Sequence, residues 1–74
     1  MNIGKVLNLN SESNVFNIKT ETKTYSSLKE HLLDGDIKDG DIVSFLITKF
    51  YINGQIVLMA DYVKKESELI LKKQ

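Results

Sequence analysis

Residues 39–63 run Asp39-Gly40-Asp41-Ile42-Val43-Ser44-Phe45-Leu46-Ile47-Thr48-Lys49-Phe50-Tyr51-Ile52-Asn53-Gly54-Gln55-Ile56-Val57-Leu58-Met59-Ala60-Asp61-Tyr62-Val63. Two β-rich apolar runs flank Asn53-Gly54, the residue pair that most readily adopts the two positive φ angles of a type I′ turn. A two-residue loop sets Ile47 across from Ala60 and Phe45 across from Tyr62. One face of the hairpin then carries Val43, Phe45, Ile47, Leu58, Ala60 and Tyr62, and it is the expected core face. The other carries Leu46, Phe50, Val57 and Met59 among Ser44, Thr48 and Asp61. This second face is half apolar, so a cover is expected for it. Gly40 supplies the turn that leads into the hairpin.

Upstream, Ile3, Leu7 and Leu9 share one alternation phase and Val6 the other, which predicts a strand over 2–9 with a bulge near Gly4–Val6. Asn8 to Asn14 is a polar turn region. Val15 to Thr20 alternates as a second strand, with Phe16 and Ile18 pointing inward. Thr24 and Tyr25 form a short third strand. Ser27-Leu28-Lys29-Glu30 is a capping-box pattern, predicting a two-turn helix that Gly35 ends. Lys64 to Gln74 is read as a helix in preference to a sixth strand through Leu69-Ile70-Leu71. Three short strands, a helix and a hairpin give an all-β small barrel in the order of an OB-fold, five strands with a short helix between strands 3 and 4 and a C-terminal helical extension. The expected division is a barrel over 1–63 and an extension over 64–74.

Composition limits what such a barrel does. Seventy-four residues are one domain near the lower limit for a self-sufficient core. Cysteine is absent, so neither disulfides nor thiolate metal sites contribute. Ten basic residues, all lysine, balance ten acids, so no broad positive field surrounds the chain. The charge is uneven: Glu30 to Asp41 holds five acids against Lys38, and the flanking regions are net positive. Without a signal peptide or a membrane-length apolar run, a soluble cytoplasmic protein is expected.

Gly4-Lys5-Val6-Leu7-Asn8-Leu9-Asn10-Ser11-Glu12, with Ile18 following, resembles the opening of the bacterial cold-shock domain. Asp39-Gly40-Asp41-Ile42-Val43-Ser44-Phe45 resembles that family's fourth strand. The resemblance covers most of residues 4 to 63. It implies an OB barrel that binds single-stranded RNA or DNA by stacking bases on the first three strands, each stacked base contributing about 1–3 kcal/mol. The stacking residues depart from the family's pattern. Asn8 stands where the family has tryptophan, and Val15 and Asn17 where it has phenylalanines. The third-strand aromatic motif becomes Tyr25-Ser26-Ser27-Leu28. The implied nucleic-acid contacts are Lys5, Asn8, Val15, Asn17, Lys19, Lys23 and Tyr25. Losing several stacking partners weakens binding by on the order of a thousandfold if nothing replaces them.

A second expectation comes from the hairpin itself. Leu46, Phe50, Val57 and Met59 form a candidate surface for a protein partner or a second copy, or they pack beneath the C-terminal segment through Leu69 and Ile70. With a loop longer than two residues, Tyr51 and Phe50 beside the turn would be further candidates for stacking a base. Asp34, Asp36, Asp39 and Asp41 do not fit a calcium loop, because Lys38 falls where a ligand is needed and Asp39 where the glycine is needed. No metal or cofactor is expected. His31, four residues after Ser27, lacks an orienting third group and an oxyanion hole, so no enzyme activity is expected either.

Overall fold

The computed structural model describes residues 2–66. Five strands, β1 (Asn2–Leu7), β2 (Val15–Lys19), β3 (Thr24–Leu28), β4 (Ile42–Ile52) and β5 (Gln55–Lys65), form a closed barrel in the order β1-β2-β3-β5-β4. Neighbours pair antiparallel except β3 and β5, which run parallel. The expected OB-like barrel is therefore what the chain forms. Closure leaves no exposed sheet edge within the barrel itself, and only the β4–β5 hairpin beyond it keeps free edges.

The hairpin turn is type I′ as its sequence demands. Asn53 and Gly54 have φ of 52° and 77°, and Ile52 pairs with Gln55. Gly40, at φ 90°, occupies the third position of a tight turn closed by Asp41 N–H donating to the Lys38 carbonyl at 3.0 Å. Ile47 pairs with Ala60 as the two-residue loop predicts, but Phe45 does not pair with Tyr62. Between Leu46↔Asp61 and Ser44↔Lys64, β4 spends one residue and β5 two. Tyr62 is the extra residue. It sits in the left-handed region at φ 51°, with its N–H on Asp61 Oδ1 at 2.8 Å. The bulge turns Tyr62 outward and sends Val63 into the core in its place.

Phe16, Phe45, Ile18, Val6, Val43 and Val63 are fully buried, each contributing about 1.5–3 kcal/mol relative to exposure. Tyr25, Leu32 and Ile47 pack against this cluster from its margin. The bulge expected in the first strand is absent: β1 ends at Leu7, and Gly4 and Val6 point inward while Ile3 is exposed. Gly4 is there for space. A Cβ at this position would lie 2.6 Å from Ile18 Cγ2 and 2.8 Å from the Lys19 carbonyl oxygen. Here β1 changes partner, pairing with β2 from Lys5 onward and with β4 up to Lys5.

The two-turn helix is reduced to one 3-10 turn, Lys29–His31. Ser27 belongs to β3, and its hydroxyl donates to the Ala60 carbonyl at 2.9 Å instead of capping a helix. Tertiary pairing overrides the local capping pattern. The barrel also outruns its expected end at residue 63. β5 continues to Lys65, and Glu66 N–H donates to the Ile42 carbonyl at 2.9 Å. The helix expected for the C-terminal extension, with Leu69 and Ile70, lies outside the described residues.

Candidate nucleic-acid interface

Alternation along β1–β3 sorts the expected contact residues. With Gly4, Val6, Phe16 and Ile18 inside, the outer face presents Lys5, Val15, Asn17 and Lys19. Lys5 lies directly opposite Lys19, which lies opposite Thr24; Leu7 faces Asn17, which faces Ser26; Val15 faces Leu28. Like charges directly opposite each other destabilise a sheet. Among the described residues no carboxylate lies within ion-pair distance of either lysine.

Asn8 ends this face. It adopts φ 63°, a conformation asparagine tolerates, and its Nδ2 donates to Asn17 Oδ1 at 2.9 Å. The loop that follows is pinned from below. Asp39 accepts from Leu9 N–H at 2.6 Å and from Asn10 N–H at 3.1 Å, while Lys29 Nζ donates to the Ser11 carbonyl at 2.7 Å.

Tyr25 stands apart from Val15 and Asn17. It pairs with Ile18, on the inner phase of β3, and packs half-buried against Phe45 with ring centroids 5.7 Å apart. Its ring reaches the barrel mouth, where Lys23 Nζ lies 5.3 Å from the centroid. There it lines an open cleft of about 790 Å³ with Ile3, Lys5, Lys19, Glu21 and Ile42. Lys5, Lys19 and Tyr25 are thus brought together at the cleft, while Asn8, Val15 and Asn17 extend the face away from it. Among the described residues Glu21 is the one acid on the cleft wall.

The residues expected for a protein partner do not form one open patch. Met59 is only 4% exposed, and the His31 ring stacks on Phe50 with centroids 5.1 Å apart and planes 17° apart. Val57 is half-buried and Leu46 exposed. The 3-10 turn, through His31, covers Phe50 on the hairpin's second face.

The acidic segment is a set of anchors. Asp39 holds the β1–β2 loop. Asp34 accepts from Lys65 N–H at 2.8 Å, and Asp41 from Lys38 N–H at 2.9 Å. Lys65 Nζ lies 3.4 Å from Asp36 Oδ2 and 3.6 Å from Asp41 Oδ2. Desolvation works against the Lys65 charge, but the hydrogen bond to Asp36 and the charges of Asp36 and Asp41 outweigh it and hold its pKa above the ordinary lysine value. Asp41 and Lys38 are local, but Asp39 with Leu9 and Asp34 with Lys65 lie 30 and 31 residues apart in the chain, so no local motif announces those anchors. Among the described residues no cluster of His, Cys, Asp and Glu has the geometry to hold a metal ion. No described helix is long and apolar enough to cross a membrane.

Fold and face together define a small OB-like barrel with a paired-lysine meander surface. No protein-family model, characterised protein or solved structure matches the chain.

Proposed function

We propose that this barrel binds single-stranded RNA or DNA weakly, along the outer face of β1–β3 and the cleft at the barrel mouth. The observation that carries the proposal is the direct opposition of Lys5 and Lys19 at the lip of a cleft whose wall includes Tyr25. Two lysines at opposed positions, with no carboxylate in ion-pair distance among the described residues, are an electrostatic cost in the free protein, and a phosphate bound by both offsets it. OB barrels use this part of the fold for oligonucleotides, and the resemblance over most of residues 4 to 63 to cold-shock domains supports the same assignment.

The mechanism differs in emphasis from base stacking. Val15, Leu28 and Leu7 offer apolar contact, and the Asn8–Asn17 pair offers amide donors and acceptors, but the Tyr25 ring presents only part of its surface. Phosphate attraction through Lys5, Lys19 and Lys23 supplies most of the affinity. For single strands the slope of log affinity against log salt is about −0.7 per phosphate neutralised, so three lysines give a slope near −2.

The test is a heteronuclear NMR titration with oligo-pyrimidine DNA and RNA at low and at higher salt. The expected result is salt-sensitive shifts at Lys5, Asn8, Val15, Asn17, Lys19 and Tyr25. Unmoved amides at millimolar oligonucleotide and low salt overturn the proposal.

A further inference from the structure

Past Ile47, which still packs against the core, and before its partner Ala60, the β5 residue paired with β3, the hairpin extends as a two-stranded arm. A two-stranded ribbon is marginal in water without a third strand or a covered face. His31 covers Phe50 on one face. The other face exposes Tyr51 (78%), its cross-strand partner Ile56 (57%) and Leu58 (47%).

We propose that a second copy of this chain pairs with the arm along the free edge of β5, antiparallel, about a two-fold axis at Val57. This is independent of the nucleic-acid assignment. The edge itself carries the first argument. Ile52 and Gln55 close a two-residue loop as a hydrogen-bonded pair, so Ile56 and Leu58 direct their N–H and C=O groups away from β4. The same alternation holds further along the edge. Ala60 C=O accepts from Ser27, and past the Tyr62 bulge Val63 C=O accepts from Leu33 N–H and Lys65 N–H donates to Asp34. Among the described residues nothing takes the corresponding groups of Ile56 and Leu58.

Register supplies the second argument. A two-fold at Val57 sets Ile56 opposite Leu58 of the other copy, so the outward groups of both residues meet as hydrogen-bonded pairs. Charge supplies the third. Gln55 to Ala60 contains no charged residue, proline or glycine, so the strand meets its own copy without repulsion. The alternative edge, on β4, carries Lys49, and a two-fold about Phe50 would bring two lysines onto one face. Pairing through β5 instead places each Lys49 on an outer strand. It builds a four-stranded sheet with Tyr51, Ile56 and the other copy's Leu58 in one apolar row. Such an isologous contact is self-complementary and small, so a weak dimer results.

The test combines mass with cross-linking. Sedimentation from micromolar to millimolar protein is expected to show the mass rising from 8.4 kDa toward twice that value. Leu58→Lys, an exposed change, is expected to weaken association by at least about tenfold. Because the chain has no cysteine, Val57→Cys introduces a lone thiol. Opposed residues of a non-hydrogen-bonded pair lie about 4.5 Å apart at Cα, within disulfide range. Mild oxidation should therefore join two Val57→Cys chains far faster than two Tyr51→Cys chains. A constant monomer mass, or equal cross-linking at both positions, overturns the proposal. It also fails if Ile56 and Leu58 amides respond to oligonucleotide but not to protein concentration, which would give the edge to nucleic acid.

Discussion

Ser27 and His31 converge on one atom. The carbonyl oxygen of Ala60 lies 2.9 Å from Ser27 Oγ and 3.0 Å from His31 Nδ1. A carbonyl only accepts, so Nδ1 carries a proton in this arrangement. The four-residue spacing that predicts a shared helix face is produced here by a strand end and a 3-10 turn. The pair clasps the end of β3 and the 3-10 turn to β5.

Ser27→Ala removes a fully buried hydrogen bond at the one register position that joins β3 and β5. Urea denaturation should show a loss of about 1 kcal/mol. Amides of β3 should lose more exchange protection than those of the β4–β5 ladder. A variant as stable as the parent would mean that His31 alone holds the seam.

Gly4→Ala places a methyl group against Ile18 and the Lys19 carbonyl, and the carbonyl is backbone that cannot rotate aside. Overpacking of this kind costs about 1–3 kcal/mol. For a domain of this size each kcal/mol lowers the melting temperature by about 4–8 °C. An unchanged melting temperature would show that β1 shifts freely at its change of partner.

Lys5→Ala and Lys19→Ala should each weaken oligonucleotide binding and reduce the salt slope by about 0.7, if each lysine meets one phosphate. Because each change also relieves the repulsion between the two lysines, stability should hold or rise slightly. Fluorescence anisotropy at several salt concentrations reads the slope, and a slope equal to the parent's removes that lysine from the interface.

Lys65 sets a pH dependence on the alkaline side. Its pKa is raised in the folded state, so the stability it contributes is fully present below the unfolded lysine pKa of about 10.4 and is lost as pH rises through the folded value. The urea midpoints of the parent and Lys65→Met should therefore differ at neutral pH and converge above about pH 10.4. A constant difference across that range would place the effect in packing of the lysine stem.

The hairpin was legible because Asn53-Gly54 encodes its own backbone geometry, and the register holds as far as Leu46↔Asp61. It breaks at Tyr62 because a positive φ on an aromatic residue has no sequence signature, and one bulged residue exchanges Tyr62 for Val63 in the core. Leu58 keeps the inner phase but lies on the arm, where there is no barrel left to bury it. Alternation placed Phe16 and Ile18 inside correctly, and with them the outer position of Val15, Asn17 and Lys19. Tyr25 was not legible, since its phase depends on a β3 longer than Thr24 and Tyr25 alone reveal. The capping box misled for a related reason: Ser27 satisfies a carbonyl thirty-three residues away, which no local pattern records.

The pairing of β1 with β4 bears on how fast the molecule assembles. The β1–β2–β3 meander and the β4–β5 hairpin each join strands adjacent in sequence, whereas Asn2↔Phe45 through Lys5↔Ile42 joins residues some forty positions apart. Closing so long a loop carries an entropic cost before any contact rewards it, and barrels dominated by such pairings fold slowly. Ring closure is then the late event in refolding. Until it happens, β1 and β4 each present a raw edge to neighbouring chains, so concentrated refolding mixtures favour strand exchange over rapid dilution's monomeric product.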